Sequence, residues 1–154
     1  MPYNENTDLV RGEYMMLYVK EGSTRHPIAF ARSNSEDITT DTIETSNKMS
    51  GAWKTFLAGQ SGWTLSVDAL VSKVSGHYSY SKLRELAVSR QLIEVCFGYV
   101  QENSEEFEID TTKPYSTGMA FLTSVGSSSE NGGIAECSAS LQGSGPLTTA
   151  NPTT

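Results

Sequence analysis

Residues 63–73 alternate cleanly between apolar and polar side chains. One side carries the apolar residues Trp63, Leu65, Val67, Ala69 and Val71. Because successive side chains of a β-strand point to opposite faces of a sheet, this period of two predicts a half-buried strand. A strand of this kind needs partner strands, so we expect a fold built around a β-sheet.

Other short segments rich in apolar and β-branched residues predict further strands. They are residues 13–20, 27–32, 37–45, 92–100, 107–112, 115–125 and 134–142. The polar triplet Ser33-Asn34-Ser35 predicts a hairpin turn between the second and third of these segments. Residues 80–91 place Leu83, Leu86 and Val88 at helical spacing, and Ser79 or Ser81 can cap the helix. The pattern predicts a mainly β fold: a sandwich or barrel of roughly eight strands with one flanking helix.

The chain has 154 residues, which is the size of one ordinary domain. We assign this domain to residues 1–147, beginning with a polar arm over residues 1–12 and followed by a tail over residues 148–154. Residues 46–62 are polar and rich in glycine, and they predict a long loop. A long loop inside a small domain is usually functional, so this loop is a candidate binding element.

The net charge of −7 argues against a free-standing nucleic-acid-binding module, which needs basic residues to neutralise phosphates. The charge is also uneven. The stretch between Arg32 and Lys48 contains only acidic charges, at Glu36, Asp37, Asp41 and Glu44. A second acidic stretch lies between Arg90 and Lys113. Alternation along a strand groups Asp37 with Asp41 and Glu36 with Glu44, but it leaves open which pair faces which side.

The titratable residues do not form a recognisable catalytic or metal-binding pattern. Cys96 and Cys137 each lie in an apolar run and are expected to be buried free thiols rather than a disulfide. His26 and His77 have no partner at metal-ligand spacing, and the glycine-rich segments do not fit a phosphate loop. We therefore expect no enzyme activity, no metal and no cofactor. The polar start lacks a signal-peptide core, and no apolar run approaches membrane-spanning length, so we expect folding in a cytoplasm.

Two motifs resemble the major tail tube proteins of long-tailed phages, most closely the TP901-1-type major tail proteins. The first covers residues 44–54, ETSNKMSGAWK, and the second covers residues 59–70, GQSGWTLSVDAL. Similar segments follow at residues 118–124, at Asn131-Gly132 and at residues 138–147, so the resemblance spans nearly the whole chain. The positions that carry the motifs are Ser50, Gly51, Gly59, Trp63, Gly118, Gly143 and Gly145.

The resemblance implies a subunit that assembles with copies of itself into rings of six, which stack into a hollow tube. Two hairpins per subunit would line the lumen, one through residues 32–45 and one through residues 94–110. The loop over residues 46–62 would contact the next ring through Lys48, Trp53 and Lys54. The four acidic residues between Arg32 and Lys48 would repel DNA, which passes without specific binding.

The resemblance further implies tape-measure, tail-tip and tail-terminator proteins as partners. It places the protein in the virion tail after assembly in the host bacterial cytoplasm. Two alternatives stay open. One is the inner tube of a contractile injection system, and the other is a β-sandwich binding module that uses Trp53 and Trp63 as stacking platforms. The absence of a signal peptide disfavours the second alternative.

Overall fold

The computed structural model describes residues 15–74, 76–101 and 107–150. Eight strands form one antiparallel sheet: β1 (Met15–Glu21), β2 (Thr24–Pro27), β3 (Ala31–Glu44), β4 (Phe56–Leu70), β5 (Ile93–Tyr99), β6 (Tyr115–Ser128), β7 (Glu136–Gly143) and β8 (Thr148–Ala150). The strand order is β2-β1-β5-β6-β7-β4-β3, and β8 pairs with the start of β6. The described residues also contain one helix, α1 (Tyr80–Ser89). The expected mainly β fold of about eight strands with one helix is confirmed.

The main core lies between the sheet and α1. The alternation of residues 63–69 buries Trp63, Leu65, Val67 and Ala69 on one side of β4. Across the sheet, Leu65 pairs with Leu141 of β7, and Leu141 in turn pairs with Leu122 of β6. The helix closes this side because Leu83 is fully buried against the same cluster. Burial of these side chains is the main favourable term that holds the helix on the sheet.

The helix begins after Ser79, as predicted, but the Ser79 hydroxyl does not cap it. Instead this hydroxyl accepts a hydrogen bond of 2.9 Å from the backbone N–H of Ser72. The helix ends at Ser89, because Arg90 adopts a left-handed backbone conformation with φ 56°. The predicted helix over residues 80–91 was therefore correct in position and slightly too long.

A second, smaller core lies on the opposite side of the sheet. Its buried members are Tyr18, Cys96, Val100 and Ile109. The Tyr18 hydroxyl donates a 2.7 Å hydrogen bond to the carbonyl of Phe107, which ties the sheet to the segment that covers it. Cys96 in this core and Cys137 in the main core are both buried and free, as the sequence predicted.

The predicted turn over residues 33–35 and part of the predicted loop over residues 46–62 are strand in the structure. Residues 33–35 do not form a hairpin turn, because β3 runs unbroken from Ala31 to Glu44 and pairs with β4 throughout. Cross-strand pairing over this length outweighs the local turn preference of Ser and Asn. The predicted loop over residues 46–62 is also too long, since β4 begins at Phe56. The glycines of residues 59–62 lie inside a strand, where Gly59 sits beside a bulge in the pairing with β3.

Two boundaries near the end of the chain also change. Of the strand predicted over residues 107–112, only Ile109 pairs, in an isolated bridge with Val100. Asp110 ends the extended stretch, because its carboxylate accepts a 3.0 Å hydrogen bond from the backbone N–H of Thr112. The predicted domain end at residue 147 is too early, because Thr148–Ala150 form β8. The predicted arm over residues 1–12 lies outside the described residues.

Candidate functional site

Strands β6, β7, β4 and β3 form one half of the sheet with two contrasting faces. The pairing registers align residues into rows that cross these four strands. On one face the rows are Asp37–Thr64–Gln142–Phe121, Ser35–Ser66–Ser140–Ser124 and Ser33–Asp68–Ser138–Gly126. We call this surface the polar face. Its side chains are mainly hydroxyls and carboxylates, and it lies on the side of the sheet opposite the main core.

The rows of the other face lead into the core. They are Glu36–Leu65–Leu141–Leu122 and Asn34–Val67–Ala139–Val125, and the pairs Ile38–Trp63 and Gly143–Ala120 lie next to them. Glu36 therefore lies on the core side of β3, where it is half-buried and pairs with Leu65. Ser116 Oγ donates to Glu36 Oε1 at 3.3 Å, whereas Glu36 Oε2 is buried without a partner among the described residues. Burial raises the pKa of the Glu36 carboxyl.

The four acidic candidates are consequently divided between the two sides. Asp37 and Asp41 share one parity of β3 and are exposed on the side of the polar face. Glu36 and Glu44 share the other parity, since the extra residue at the bulge near Thr40 lies in β4 and leaves the alternation of β3 intact. Glu44 is exposed at the end of β3, where it pairs with Phe56.

Carboxylates dominate the charge of the polar face. Asp37, Asp41, Asp68 and Glu136 lie on it, and Arg32 at its margin contacts Glu136 at 2.5 Å. Ser33 Oγ donates to Asp68 Oδ2 at 3.1 Å, and the hydroxyls of Ser35 and Ser66 hydrogen-bond to each other. The surface is thus a layer of short, mutually bonded polar side chains with a net negative charge.

Both outer strands of this half-sheet have a free edge among the described residues. β3 pairs with β4 alone along its full length. β6 pairs with β5 only as far as Ala120, so residues 121–128 pair with β7 on one side and are open on the other. A long unpaired strand edge is a template for pairing with another chain.

The connection between β3 and β4, residues 45–55, is a compact turn that we call the hairpin tip. Asn47 Oδ1 accepts from the Met49 N–H at 2.7 Å, and Ser50 Oγ accepts from the Asn47 N–H at 3.0 Å. Ser46 Oγ accepts from the Thr55 N–H at 3.0 Å, which closes the turn at its base. These bonds leave Met49 93% and Trp53 83% exposed at the far end of the hairpin. Lys48 and Lys54 are exposed beside them.

The motif positions fall into two groups. Ser50 and Gly51 lie in the hairpin tip, where Gly51 has φ 70°. Trp63, Gly118, Gly143 and Gly145 meet in one place: the Trp63 indole packs against Gly118 and Gly143 and donates a 3.1 Å hydrogen bond to the carbonyl of Gly145. Gly59 belongs to neither group and lies against the backbone of Asp41.

Sequence reasoning missed half of the polar face. The resemblance implied a second lumen hairpin through residues 94–110, but β5 in this range is paired on both sides, with β1 and β6, and has no free edge. The other hairpin of the half-sheet is β6–β7, with hydroxyls at Ser124, Ser138 and Ser140. The signal was the alternation of Ser138 and Ser140 with Ala139 and Leu141 in the sequence.

The described residues contain no group of three or more His, Cys, Asp or Glu side chains arranged to hold a metal ion. His26 stacks on Tyr78 with ring centroids 4.5 Å apart, and His77 Nδ1 lies 2.8 Å from Ser72 Oγ. Burial, together with the hydrogen bond to Glu21, raises the pKa of Tyr78 to about 12. No helix in residues 15–74, 76–101 or 107–150 combines the length and apolarity that crossing a bilayer requires.

Three solved structures with a similar fold come from tail or tube assemblies. The tail of an empty GTA particle, determined with C6 symmetry, matches with a TM-score of 0.72 at 16% identity, covering 91% of this chain and 98% of that chain. The SPP1 tail tube matches with a TM-score of 0.69 at 14% identity, covering 93% and 80%. The sheath-tube complex of PVC, an extracellular contractile injection system, matches with a TM-score of 0.66 at 18% identity, covering 93% and 92%. No protein with a curated description matches the chain by sequence.

The similarity to these structures shows that the sheet and its helix form a tail-tube fold. The family model described as phage tail tube protein matches residues 9–149. The chain therefore belongs to the phage tail tube protein family and is a structural tail tube subunit.

Proposed function

We propose that six copies of this chain form a ring, that the rings stack into a hollow phage tail tube, and that DNA passes through its lumen. The observation that carries this proposal is the pair of free edges on the half-sheet β6-β7-β4-β3. Strand directions alternate across the half-sheet, so β3 of one copy and β6 of the next run antiparallel. Their pairing would continue the sheet from copy to copy, and ring closure would leave no open edge.

The two faces of the half-sheet decide which side lines the lumen. The core side is covered by α1, which packs on the main core through Leu83. The polar face is the side that suits a water-filled channel, because its hydroxyls and carboxylates are exposed. In this arrangement α1 lies on the outside of the tube. Asp37, Asp41 and Asp68 then give the wall a negative charge that opposes DNA binding.

This arrangement revises the set of lumen residues. Glu36 is half-buried on the core side of β3, and Glu44 lies at the end of β3 beside the hairpin tip. Asp37 and Asp41 are therefore the lumen candidates that remain of the original four. The acids of the polar face that the sequence did not suggest are Asp68 and Glu136.

Stacking of the rings is assigned to the hairpin tip. Trp53 and Met49 are almost fully exposed apolar side chains on a turn that its own hydrogen bonds hold in shape. Exposed apolar side chains of this size on a preformed turn suit a protein contact. Lys48 and Lys54 flank the contact.

The remaining features follow from the family and the related structures. We propose a TP901-1-type tail protein of a long-tailed phage, with no enzymatic activity and no cofactor. Residues 1–147, extended by β8, act as a single tail-tube domain. The subunit is assembled in the host bacterial cytoplasm and resides in the virion tail. Its partners are further copies of itself and tape-measure, tail-tip and tail-terminator proteins. A tube terminator and a tube-terminating cap appear among the related contractile-system structures, which supports the last of these.

A second candidate is the inner tube of a contractile injection system. The similarity to the tube of the PVC sheath-tube complex favours it. The two candidates differ in the neighbouring genes: a sheath gene beside this one would support the contractile system, and a tape-measure gene without a sheath gene would support a flexible tail.

Hydrogen exchange tests the ring proposal. The amides of residues 31–44 and 121–128 that face the open edges should exchange quickly in the free subunit. They should become protected when light scattering shows assembly. Protection of the hairpin tip alone, with both edges still exchanging quickly, would contradict edge-to-edge pairing.

A further inference from the structure

An apolar groove of about 940 Å³ opens beside the start of β3. Its apolar lining includes Met16, Ile28, Phe30, Tyr78, Phe97 and Phe107. The groove lies where β3 approaches the start of β1, since Asn34 Nδ2 donates to the carbonyl of Met15 at 3.3 Å. A concave apolar surface of this size can accommodate several large side chains.

Phe30 is held at this groove in an unfavourable backbone conformation. Its φ is 52°, a value that a bulky residue rarely adopts. The Phe30 carbonyl accepts a 3.0 Å hydrogen bond from the Leu70 N–H, and the adjacent Ala29 N–H donates to the Tyr78 carbonyl at 2.9 Å. These bonds fix the turn, and the phenyl ring remains 57% exposed, edge-on to His77. Strain that keeps an apolar ring in solvent is a sign of a functional contact.

The groove and the hairpin tip lie at opposite ends of the same strand. Residues 31–34 of β3 line the groove, and the tip begins directly after Glu44. Glu44 lies ten residue steps after Asn34 along the strand, which corresponds to about 33 Å. The tip of one chain therefore cannot reach the groove of the same chain.

We infer that the groove receives the hairpin tip of a second copy of this chain, with Trp53 and Met49 entering between Phe30, Tyr78 and Phe97. This inference rests on the proposed tube and adds the surface on which the next ring seats. The two surfaces are both apolar. The tip projects a pair of exposed apolar side chains, and the groove is a recess with an apolar lining on the same molecule. The tip side chains Trp53 and Met49 and the groove residue Phe30 are exposed in the single subunit, and one contact would cover all three.

The geometry of this contact also gives the tube a direction. Tip and groove are different surfaces, so a contact between them is head-to-tail and leaves a free tip at one end and a free groove at the other. Repetition of a head-to-tail contact that does not close on itself produces a polar filament. Because the tip and groove lie at the two ends of β3, stacking would proceed along the direction of the lumen strands.

Cross-linking between two single-cysteine additions tests the inference. Trp53→Cys protein is mixed with Phe30→Cys protein, assembled, and treated with a short bismaleimide. Cys96 and Cys137 are buried and should remain unmodified. A cross-linked dimer is expected from this mixture and from neither variant alone. The matched control replaces Phe30→Cys by Val88→Cys, an exposed apolar position on α1, and should give no dimer.

A second measurement keeps the test decisive if a cysteine variant assembles poorly. Trp53→Ala and Phe30→Ala should each raise the critical concentration for assembly by roughly tenfold. The double variant should raise it no further than either single variant, because both changes remove the same contact. Additive effects, or a dimer formed with Val88→Cys and not with Phe30→Cys, would overturn the inference while tubes still form. Failure of the wild-type protein to form tubes would instead contradict the proposed function.

Discussion

The indole ring of Trp63 occupies the space that a side chain on Gly143 would fill. A Cβ atom on Gly143 would lie well inside the van der Waals surface of the indole, and one on Gly118 would lie 2.7 Å from Trp63 Cζ2. Trp63 is only 3% exposed, and its Nε1 donates to the Gly145 carbonyl at 3.1 Å. Four motif residues that are distant in sequence thus form one contact, which joins β4 to β6 and β7 behind the polar face.

Gly143→Ala should destabilise the folded subunit. The added methyl group collides with a buried ring that is also tethered by a hydrogen bond, and overpacking of this kind costs about 1–3 kcal/mol. The free energy of unfolding, from denaturant titration of the unassembled protein, is the measurement. Gly126→Ala is the matched control, because a Cβ at Gly126 would meet only Ser138 Oγ at an ordinary 3.7 Å. Equal stability of the two variants would contradict the packing described for Trp63.

Glu36→Gln should stabilise the subunit at neutral pH. Burial raises the pKa of Glu36, so the folded state binds its proton more tightly than the unfolded state does. The stability associated with this group is complete below its unfolded pKa and is lost as pH rises through the higher folded pKa. We expect Glu36→Gln to be more stable than the wild type at pH 7 and to equal it at low pH. Thermal unfolding across this pH range measures the difference, with exposed Asp37→Asn as control. A gain that is independent of pH would refute the explanation.

Trp53→Ala should impair tube formation, by raising the critical concentration for assembly, and leave the subunit folded. Trp53 is 83% exposed in a turn whose hydrogen bonds do not involve its side chain, so its removal takes away a contact surface rather than core packing. Electron microscopy would report the tubes, and circular dichroism would report the fold. Val88→Ala removes a comparably exposed apolar side chain from α1 and should assemble normally. Normal tubes from Trp53→Ala would show that the hairpin tip is not the stacking element.

Asp37→Lys should slow DNA ejection from assembled particles. The change places a positive charge on the polar face in every subunit, and DNA then binds the wall by releasing counterions. We expect a decrease of roughly tenfold in rate at low salt, a larger decrease for Asp37→Lys with Asp41→Lys, and a weaker effect as salt screens the charges. Glu85→Lys makes the same change of charge on exposed α1 and should not alter the rate. Equal slowing by Asp37→Lys and Glu85→Lys would indicate that the polar face does not line the lumen.

The fold could be predicted from the sequence because the patterns that indicate its strand and its helix lie in neighbouring residues. The alternation of residues 63–69 identifies a half-buried strand, and the spacing of Leu83 and Leu86 identifies the helix, from neighbouring residues alone. The turn predicted at Ser33-Asn34-Ser35 failed because pairing with β4 is a long-range interaction that local preferences do not report.

The candidate site could be predicted only in part, because it depends on contacts between residues that are distant in the sequence. Parity grouped Asp37 with Asp41, but the side on which they lie depends on which residues of β4 bury against the core. The groove at Phe30 could not be predicted from the sequence, because residues from β1, the turn before β3 and the segment before α1 line it together. The Trp63 contact brings together glycines that follow it by dozens of residues, and only the register of β6 and β7 places them beneath the ring.

Cryo-electron microscopy of tubes assembled from the purified protein tests the central claim most directly, because it shows which face of the half-sheet lines the lumen. We expect a hollow tube of six-fold rings in which Asp37, Ser66 and Ser140 face the channel, α1 lies outside, and β3 of each subunit pairs with β6 of its neighbour. A protein that stays monomeric at every concentration, even with a tail-tip template, would contradict this account. So would a tube whose channel is lined by α1.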